Sequence, residues 1–429
     1  MSEQAGLTRG IGKFAAIALV TGNMIGAGIF VTPAALAEVA GPLALVAWVI
    51  NVLGYLCLTA VFADLGRAYP ISGGLQAFSR RAFGKFAGMQ VGYLYWLCAV
   101  IGNAAFLTAF TSYLVVFVPQ AADPWVAFGC SQALLWSLTL GHVIGVKVGG
   151  AVQILTTILK VVPLLLLSFA LLPVFSLANL EPVAPHGAGS LLPAVSLMSW
   201  MFIGMESITV PAEEIRDAER TISRSIYIGF GLTSLVYLLV LVALMGAAPA
   251  GQLAASAKPL ADVAAATFGP TAAKWISLGA LISIVGILNG WLLVTSRMAH
   301  ATARDGCAPR IFATLHPRRK TPVVALLVTS LCSGGLVSLY FSGAMLDVYN
   351  FIAMLSTATA IGCACAAQIV LIRREPEKFR QRRRGICTAI LGLVVVALMI
   401  AGAGLEVIGW TLACMLVPVP YYLWRLRKA

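Results

Sequence analysis

The stretch ALVTGNMIGAGIF, residues 18–30, lies inside an apolar run long enough to cross a membrane, yet Gly22, Gly26 and Gly28 interrupt it, with Asn23 between them. A glycine in a helix interior costs about 1 kcal/mol relative to alanine. Backbone N–H and C=O groups freed by a break are expensive in hydrocarbon unless the break lines a cavity. The reading of this segment therefore decides the fold: a membrane helix opened at its middle, with backbone groups available to a ligand.

The rest of the chain supports a membrane setting. Its 429 residues are 60% hydrophobic and 10% charged, with a mean hydropathy of +0.93. A soluble globular chain is about 25% charged. The short polar N-terminus runs directly into a full-length apolar segment, which does not resemble a cleavable signal peptide. A span needs about 20 mostly apolar residues. On that template twelve spans are expected near 12–36, 42–66, 88–118, 124–144, 151–176, 191–214, 224–247, 273–302, 322–342, 347–372, 386–403 and 405–424. The last two form a tight hairpin. The loop near 248–272 is Ala-rich and suits a short surface helix.

The net charge of +13 is a matter of topology. All but three of the 29 Lys and Arg fall at the ends and in alternate loops, densest at Arg373, Arg374, Lys378, Arg380, Arg382, Arg383 and Arg384. The opposite side holds only Lys258 and Lys274, and Lys160 lies inside a span. The positive-inside rule then places both termini in the cytoplasm and calls for an even number of spans. It also removes the argument for nucleic acid; contact with anionic lipid is a secondary role for such loops. The nine cysteines lie mostly in apolar surroundings, with Cys307 in a basic loop, and read as buried small hydrophobes rather than a disulfide framework.

A second interruption falls in LLPAVSLMSWMFIGMESITVPAEEI, residues 191–215, around Ile203, Gly204, Met205 and Glu206, with Pro211 beyond. The first and sixth spans correspond if five spans repeat, inverted, after five. Paired interruptions at corresponding positions point to a transporter binding site, whereas close helix packing would account for either one alone. The half-helix after a break presents N–H groups and the positive dipole end to a carboxylate; the half before it ends in carbonyls suited to an ammonium. Helix polarity assigns the N–H groups of Ala27 and Gly28 to a carboxylate, and the carbonyls of Met24, Trp200 and Ile203 to an amine. Together they suit the zwitterionic head of an amino acid.

Glu206 lies in mid-span, where a carboxylate is expensive and marks a functional site by default. It reads as a protonation switch or as a hydrogen-bonded bridge across the break. Lys160, in VQILTTILKVVPLL, is a buried ammonium that needs partners such as carbonyls at the first break; it could replace a bound sodium ion, lose its proton in the cycle, or be purely structural. Tyr95, Trp200, Phe202 and Trp291 are candidate pocket aromatics, since a Trp face attracts a guanidinium or ammonium. Asn103 offers an amide. Asn51, Gln153, Asn289 and Asn350 read as interhelical contacts, and His142, His186, His300 and His316 are not expected to be ligands. The charges of PAEEIRDAERTISRS are expected to pair with basic loop residues as part of a cytoplasmic gate. A channel would want rings of charges or carbonyls from symmetric subunits, and no HExxH or clustered catalytic set points to a membrane enzyme or a metal. No cofactor is implied.

GNMIGAGIF, YPISGGLQAFSRRAFGKFAG, YLYWLCAVIGNAAF, WMFIGMES and GWLLVTSRMAHATARDGCAPRIFATLHPRRKTPVVALL together resemble the amino acid–polyamine–organocation superfamily, in particular its basic amino acid/polyamine antiporter branch. The resemblance covers spans one to nine in order, with a weaker match beyond. It implies an all-α polytopic fold of the leucine-transporter type. One transmembrane domain would occupy 1–429, with inverted repeats at 12–176 and 191–372 and a helix pair at 386–424, and such proteins are often dimeric. By motif position, Asn23, Gly26 and Gly28 match the first-span motif, Trp200 and Ile203 the sixth-span substrate and gating positions, and Glu206 a pH-sensing carboxylate. Tyr95 matches a gating aromatic, Asn103 a substrate-contacting amide, and Trp291 the aromatic that stacks on a guanidinium. Ala27 stands where the arginine/agmatine antiporters have a serine, Phe106 where they have a methionine beside the substrate. Lys160 resembles the fifth-span lysine of proton-coupled, sodium-independent members. The expected function is secondary amino acid transport across the inner membrane. Exchange of a cationic amino acid for its amine and proton-coupled movement of a neutral amino acid both remain open.

Overall fold

The computed structural model describes residues 7–26, 28–341, 346–401 and 405–427, with the side chains of 340–354, 401–407 and 426 outside the description. Ala27 is therefore outside it, as is the side chain of Asn350.

Among the described residues the regular structure is all helical, joined by turns and irregular loops, with one isolated bridge between Ile11 and Ile215. In order, the helices are α1 (Lys13–Met24), α2 (Gly28–Ala40), α3 (Ala44–Ala68), α4 (Leu75–Phe83), α5 (Lys85–Leu114) and α6 (Pro124–Ile144). They continue as α7 (Val146–Ala170), α8 (Leu191–Ser199), α9 (Ala218–Ala247), α10 (Ala250–Ala254), α11 (Pro259–Phe268) and α12 (Pro270–Arg304). The last are α13 (Val323–Phe341), α14 (Leu346–Arg374), α15 (Arg382–Ala401), α16 (Leu405–Leu416) and α17 (Val419–Leu426). Among the described residues, nine helical stretches are long and apolar enough to cross a membrane, the first of them running from Lys13 to Ala68 through α1, α2 and α3. That stretch holds the first two expected spans. The expected ninth span appears as α13, whose apolar part is shorter, and the expected twelfth is divided into α16 and α17.

Local sequence sets the helix ends. Asp123 caps α6 by accepting from the N–H groups of Trp125 and Val126, and Pro124 fills the first helical position, where no N–H is needed. The Ala-rich loop after α9 forms two short helices, α10 and α11, where one was expected; Leu253 and Leu260 tuck inward.

α7 shows why this body belongs in lipid. Gln153, Thr156, Thr157 and Lys160 are buried, while Leu155, Ile158, Leu166 and Phe169 are exposed. A soluble helix would present the reverse. In hydrocarbon, polar side chains turn to the protein interior, where partners exist. α1 packs against α7, α9 and α12, and α12 also against α5 and α13. The end of α1 thus sits at the centre of the body.

Candidate functional site

α1 stops at Met24. Ile25 donates its N–H to Thr21 O but turns to ψ 100°, and α2 resumes at Gly28. The second interruption faces it. α8 passes into a tight 3-10 turn over Trp200–Phe202, Gly204 adopts φ +117°, and a second 3-10 turn covers Met205–Thr209. A Cβ on Gly204 would lie 2.7 Å from the carbonyl oxygen of Asn23. Only glycine allows both the left-handed angle and this backbone-to-backbone approach. Asn23 ties the two segments further by donating from Nδ2 to Ser207 Oγ at 2.9 Å.

The glycines of the opening stretch have separate jobs. A Cβ on Gly22 would meet Gln153 Nε2 at 2.0 Å, and one on Gly26 would meet Ile287 Cδ1 at 2.2 Å. Both let α1 and its extension pack against α7 and α12. A Cβ on Gly28 would meet Thr32 Oγ1 at 3.6 Å and Met201 Cγ at 3.7 Å, so it alone of the three would accept one at ordinary contact distance.

Several of the freed carbonyls, that of Met24 among them, already accept a hydrogen bond within the protein. The Tyr237 hydroxyl lies 2.7 Å from Met24 O and 3.0 Å from Met201 O, so its one proton bridges both interruptions. Trp200 O accepts weakly from Ile203 N–H at 3.4 Å, Asn23 O from Trp291 Nε1 at 3.3 Å. Lys160 Nζ donates to Gly22 O at 2.7 Å and to Ile25 O at 2.6 Å, as carbonyls at the first break were expected to allow.

Between the segments lies a cavity of about 50 Å³. Asn23, Met24, Gly26, Gly28, Phe106, Trp200, Ile203 and Trp291 all line it. The wall also includes Cys98, Ala99, Gly102, Met201 and Ile287. Cys98, Gly102 and Phe106 recur at helical spacing along α5, and Ile287 lies one turn before Trp291, so extending those faces would have found them. Tyr237 had no such signal; it reads as one aromatic among many in a span.

Five expected residues stand off the wall. Tyr95 donates to Glu206 Oε1 at 2.9 Å, and its ring lies 5.9 Å from that of Trp291. Glu206 Oε2 accepts from Gly204 N–H at 3.1 Å, so this buried carboxylate does bridge the second interruption. Lys160 lies behind α1. Asn103 is fully buried beside Gly102, and neither amide atom has a partner. Phe202 departs from expectation: it packs against Tyr55, Phe230 and Tyr237, away from the cavity.

Asn51, Gln153 and Asn289 make the interhelical contacts expected of them, to Val195 O, Ala18 O and Gly149 O. His142 Nε2 sits against Asn289 O and His300 Nδ1 against Phe312 O. Among the described residues no cluster of His, Cys, Asp or Glu is placed to hold a metal.

The charges after the second interruption pair with α12. Arg297 donates from Nε and Nη2 to the two oxygens of Glu214 at 3.0 and 2.9 Å, and both side chains are buried. The sequence reading counts Arg297 with the loop charges; it is instead enclosed. Glu213 pairs with Arg304 at 2.6 Å. Burial pushes Glu213 up, but Arg304 and the Ser72 N–H outweigh it and hold the carboxyl below its usual range. Ile11 N–H donates to Glu214 O and Arg216 N–H to Ile11 O, stitching the N-terminal segment to the same point.

A multi-pass helical body with a central cavity between two interrupted segments is the architecture of a membrane transporter. A family model for amino acid permeases matches residues 11–416, and the chain belongs to that family. It is 28% identical to the cadaverine/lysine antiporter of Escherichia coli K12, over 97% of this chain and 95% of that one. It is 30% identical to the arginine/ornithine antiporter of Pseudomonas aeruginosa, over 88% of this chain and 82% of that one.

Proposed function

We propose that the protein exchanges a cationic amino acid for a related amine or amino acid, by alternating access, across the inner membrane. The observation that carries this is the cavity between the end of α1, the start of α2 and the Trp200–Ile203 turn. Asn23 and residues at the helix ends line it, which suits an amino acid head, and Phe106, Trp200 and Trp291 offer aromatic surface to a cationic side chain. The names of the two relatives, both antiporters of dibasic compounds, support the same reading.

In this reading the twelve spans form two inverted five-helix repeats, 12–176 and 191–372, and a final pair at 386–424, with both termini cytoplasmic. Gly28 and Ala27 N–H groups receive the carboxylate. Asn103 turns its unpartnered amide to the substrate side chain, and Trp200 and Tyr95 gate the site. Glu206 and Lys160 couple it to protons. The Glu214–Arg297 and Glu213–Arg304 pairs close the cytoplasmic side.

Proteoliposomes loaded with lysine, arginine, ornithine or buffer test it. Labelled lysine or arginine should enter only when the vesicle holds a dibasic compound. A second reading, proton-coupled movement of a neutral amino acid, has one observation in its favour: no acidic side chain lines the cavity. Neutral amino acid uptake into empty vesicles, driven by a pH gradient, would establish it and reject exchange. No transport of any amino acid or amine would sink both.

A further inference from the structure

A second, larger cavity lies outside the site. It measures about 290 Å³, opens to the surface, and is lined by α5, α12, α13, α17 and the segment after α12. Tyr93, Trp96, Ala299, Cys307, Phe312 and Tyr421 supply much of its wall. Ala299 follows Trp291 by eight residues, so the two cavities share α12 at levels about 12 Å apart.

The chemistry of the wall narrows the occupant. Its accessible surface is almost wholly apolar, and several of its polar atoms are engaged: Trp96 Nε1 donates to Thr329 Oγ1, Thr302 Oγ1 to Met298 O, and Cys307 Sγ to Lys85 O. No carboxylate is among its described lining residues. A polar substrate would find few groups to bind, whereas a hydrocarbon chain loses nothing on entry.

The rim is basic. Lys85, whose carbonyl receives the Cys307 thiol, is exposed. Arg425 donates to Gly306 O, and Arg310, next to the wall residue Pro309, is exposed. The nearby carboxylate of Asp305 is taken by Arg80 at 2.9 Å. Phe86 meets Tyr422 edge-on at 5.2 Å, and Tyr421 lies 5.9 Å from Trp424. Aromatics beside cations at a helix end mark headgroup level.

We infer that this cavity takes one acyl chain of an anionic phospholipid, whose phosphate is held at the rim by Lys85, Arg310 and Arg425. A bound chain would brace α5, α12, α13 and α17 on the basic side of the candidate site.

The test uses the full-length protein in detergent with phosphatidylglycerol or phosphatidylcholine of equal chain length. Native mass spectrometry reads the lipid retained. Alkylation of Cys307 by N-ethylmaleimide, followed by peptide mass, locates it. Phosphatidylglycerol should be retained preferentially and should slow Cys307 labelling. Lys85→Gln should lower that preference by about fivefold, the worth of one cation at a charged lipid surface. Ala299→Phe should abolish retention of the protecting lipid. Equal protection by both lipids, or a Lys85→Gln variant with unchanged preference, overturns the headgroup assignment. Protection that follows protein concentration instead of lipid points to a second copy of the chain and overturns the proposal entirely. Lys85→Gln changes an exposed side chain, so the result stands even if Ala299→Phe fails to fold.

Discussion

Among the described residues two cations lie wholly inside the helical body, and they are housed differently. Arg297 on α12 meets both oxygens of Glu214. Lys160 on α7 meets two backbone carbonyls, Gly22 O and Ile25 O. The first is neutralised and the second is merely solvated. A buried bidentate ion pair must form or open as a unit, because either charge alone is costly in a low dielectric. An ammonium on carbonyls can give up its proton without stranding an anion. The contrast supports the proposed roles, Arg297 in closure and Lys160 in coupling, and it can be broken at either end.

The largest effect is expected at the pair. Glu214→Gln leaves Arg297 buried without its counter-charge, at a cost of about 3–5 kcal/mol. Thermal unfolding in detergent should show it as a markedly lowered midpoint. The double variant Glu214→Leu with Arg297→Met removes both charges and should recover most of the loss. A double variant as unstable as the single one would mean that the two charges do not depend on each other.

Lys160→Met keeps much of the apolar stem and removes the charge. The fold should survive with a smaller loss than Glu214→Gln, while the pH dependence of transport in proteoliposomes flattens. Lys160→Arg, which cannot deprotonate, should slow turnover. Unchanged pH dependence in Lys160→Met would remove the lysine from coupling and leave it a structural role at the end of α1.

Trp291→Leu tests the cavity between them. Loss of a cation–aromatic contact costs about 1 kcal/mol, so lysine or arginine should bind several-fold more weakly in a competition assay while any neutral competitor is little affected. Equal weakening of all substrates would instead point to the ring's hydrogen bond to Asn23 O and its packing on Tyr95 as its main role.

This contrast also marks what the sequence could and could not disclose. The two interruptions were legible because glycine, asparagine and glutamate conflict with a membrane helix, and local conflict is itself a signal. Lys160 was legible for the same reason. Arg297 was not, because a cation near a span end looks like a loop charge until a partner 83 residues away is brought to it. The job of Gly22 and Gly26 was equally hidden. Both serve packing in the folded body, and only the side chains of Gln153 and Ile287 opposite them reveal that. Tyr237 bridges both interruptions through one hydroxyl, a role that depends entirely on tertiary placement.

The smallest effect is expected where water takes over. Beyond the end of α14, Glu375 pairs with Arg81 at 2.8 Å and Lys378 at 2.7 Å, all three partly exposed. Hydrogen bonds from Arg81 and then Lys378 hold its carboxyl down at about 2. A carboxyl depressed in the folded state contributes stability above its unfolded pKa, near 4.3, and loses it as pH falls toward 2. Exposed pairs contribute about 0–1 kcal/mol. Glu375→Gln should therefore lower the thermal midpoint slightly at neutral pH, and the gap to the unaltered protein should close on acidification. A loss at neutral pH as large as that of Glu214→Gln would break the comparison, because it would make the number of charges paired, rather than their removal from water, the source of the energy.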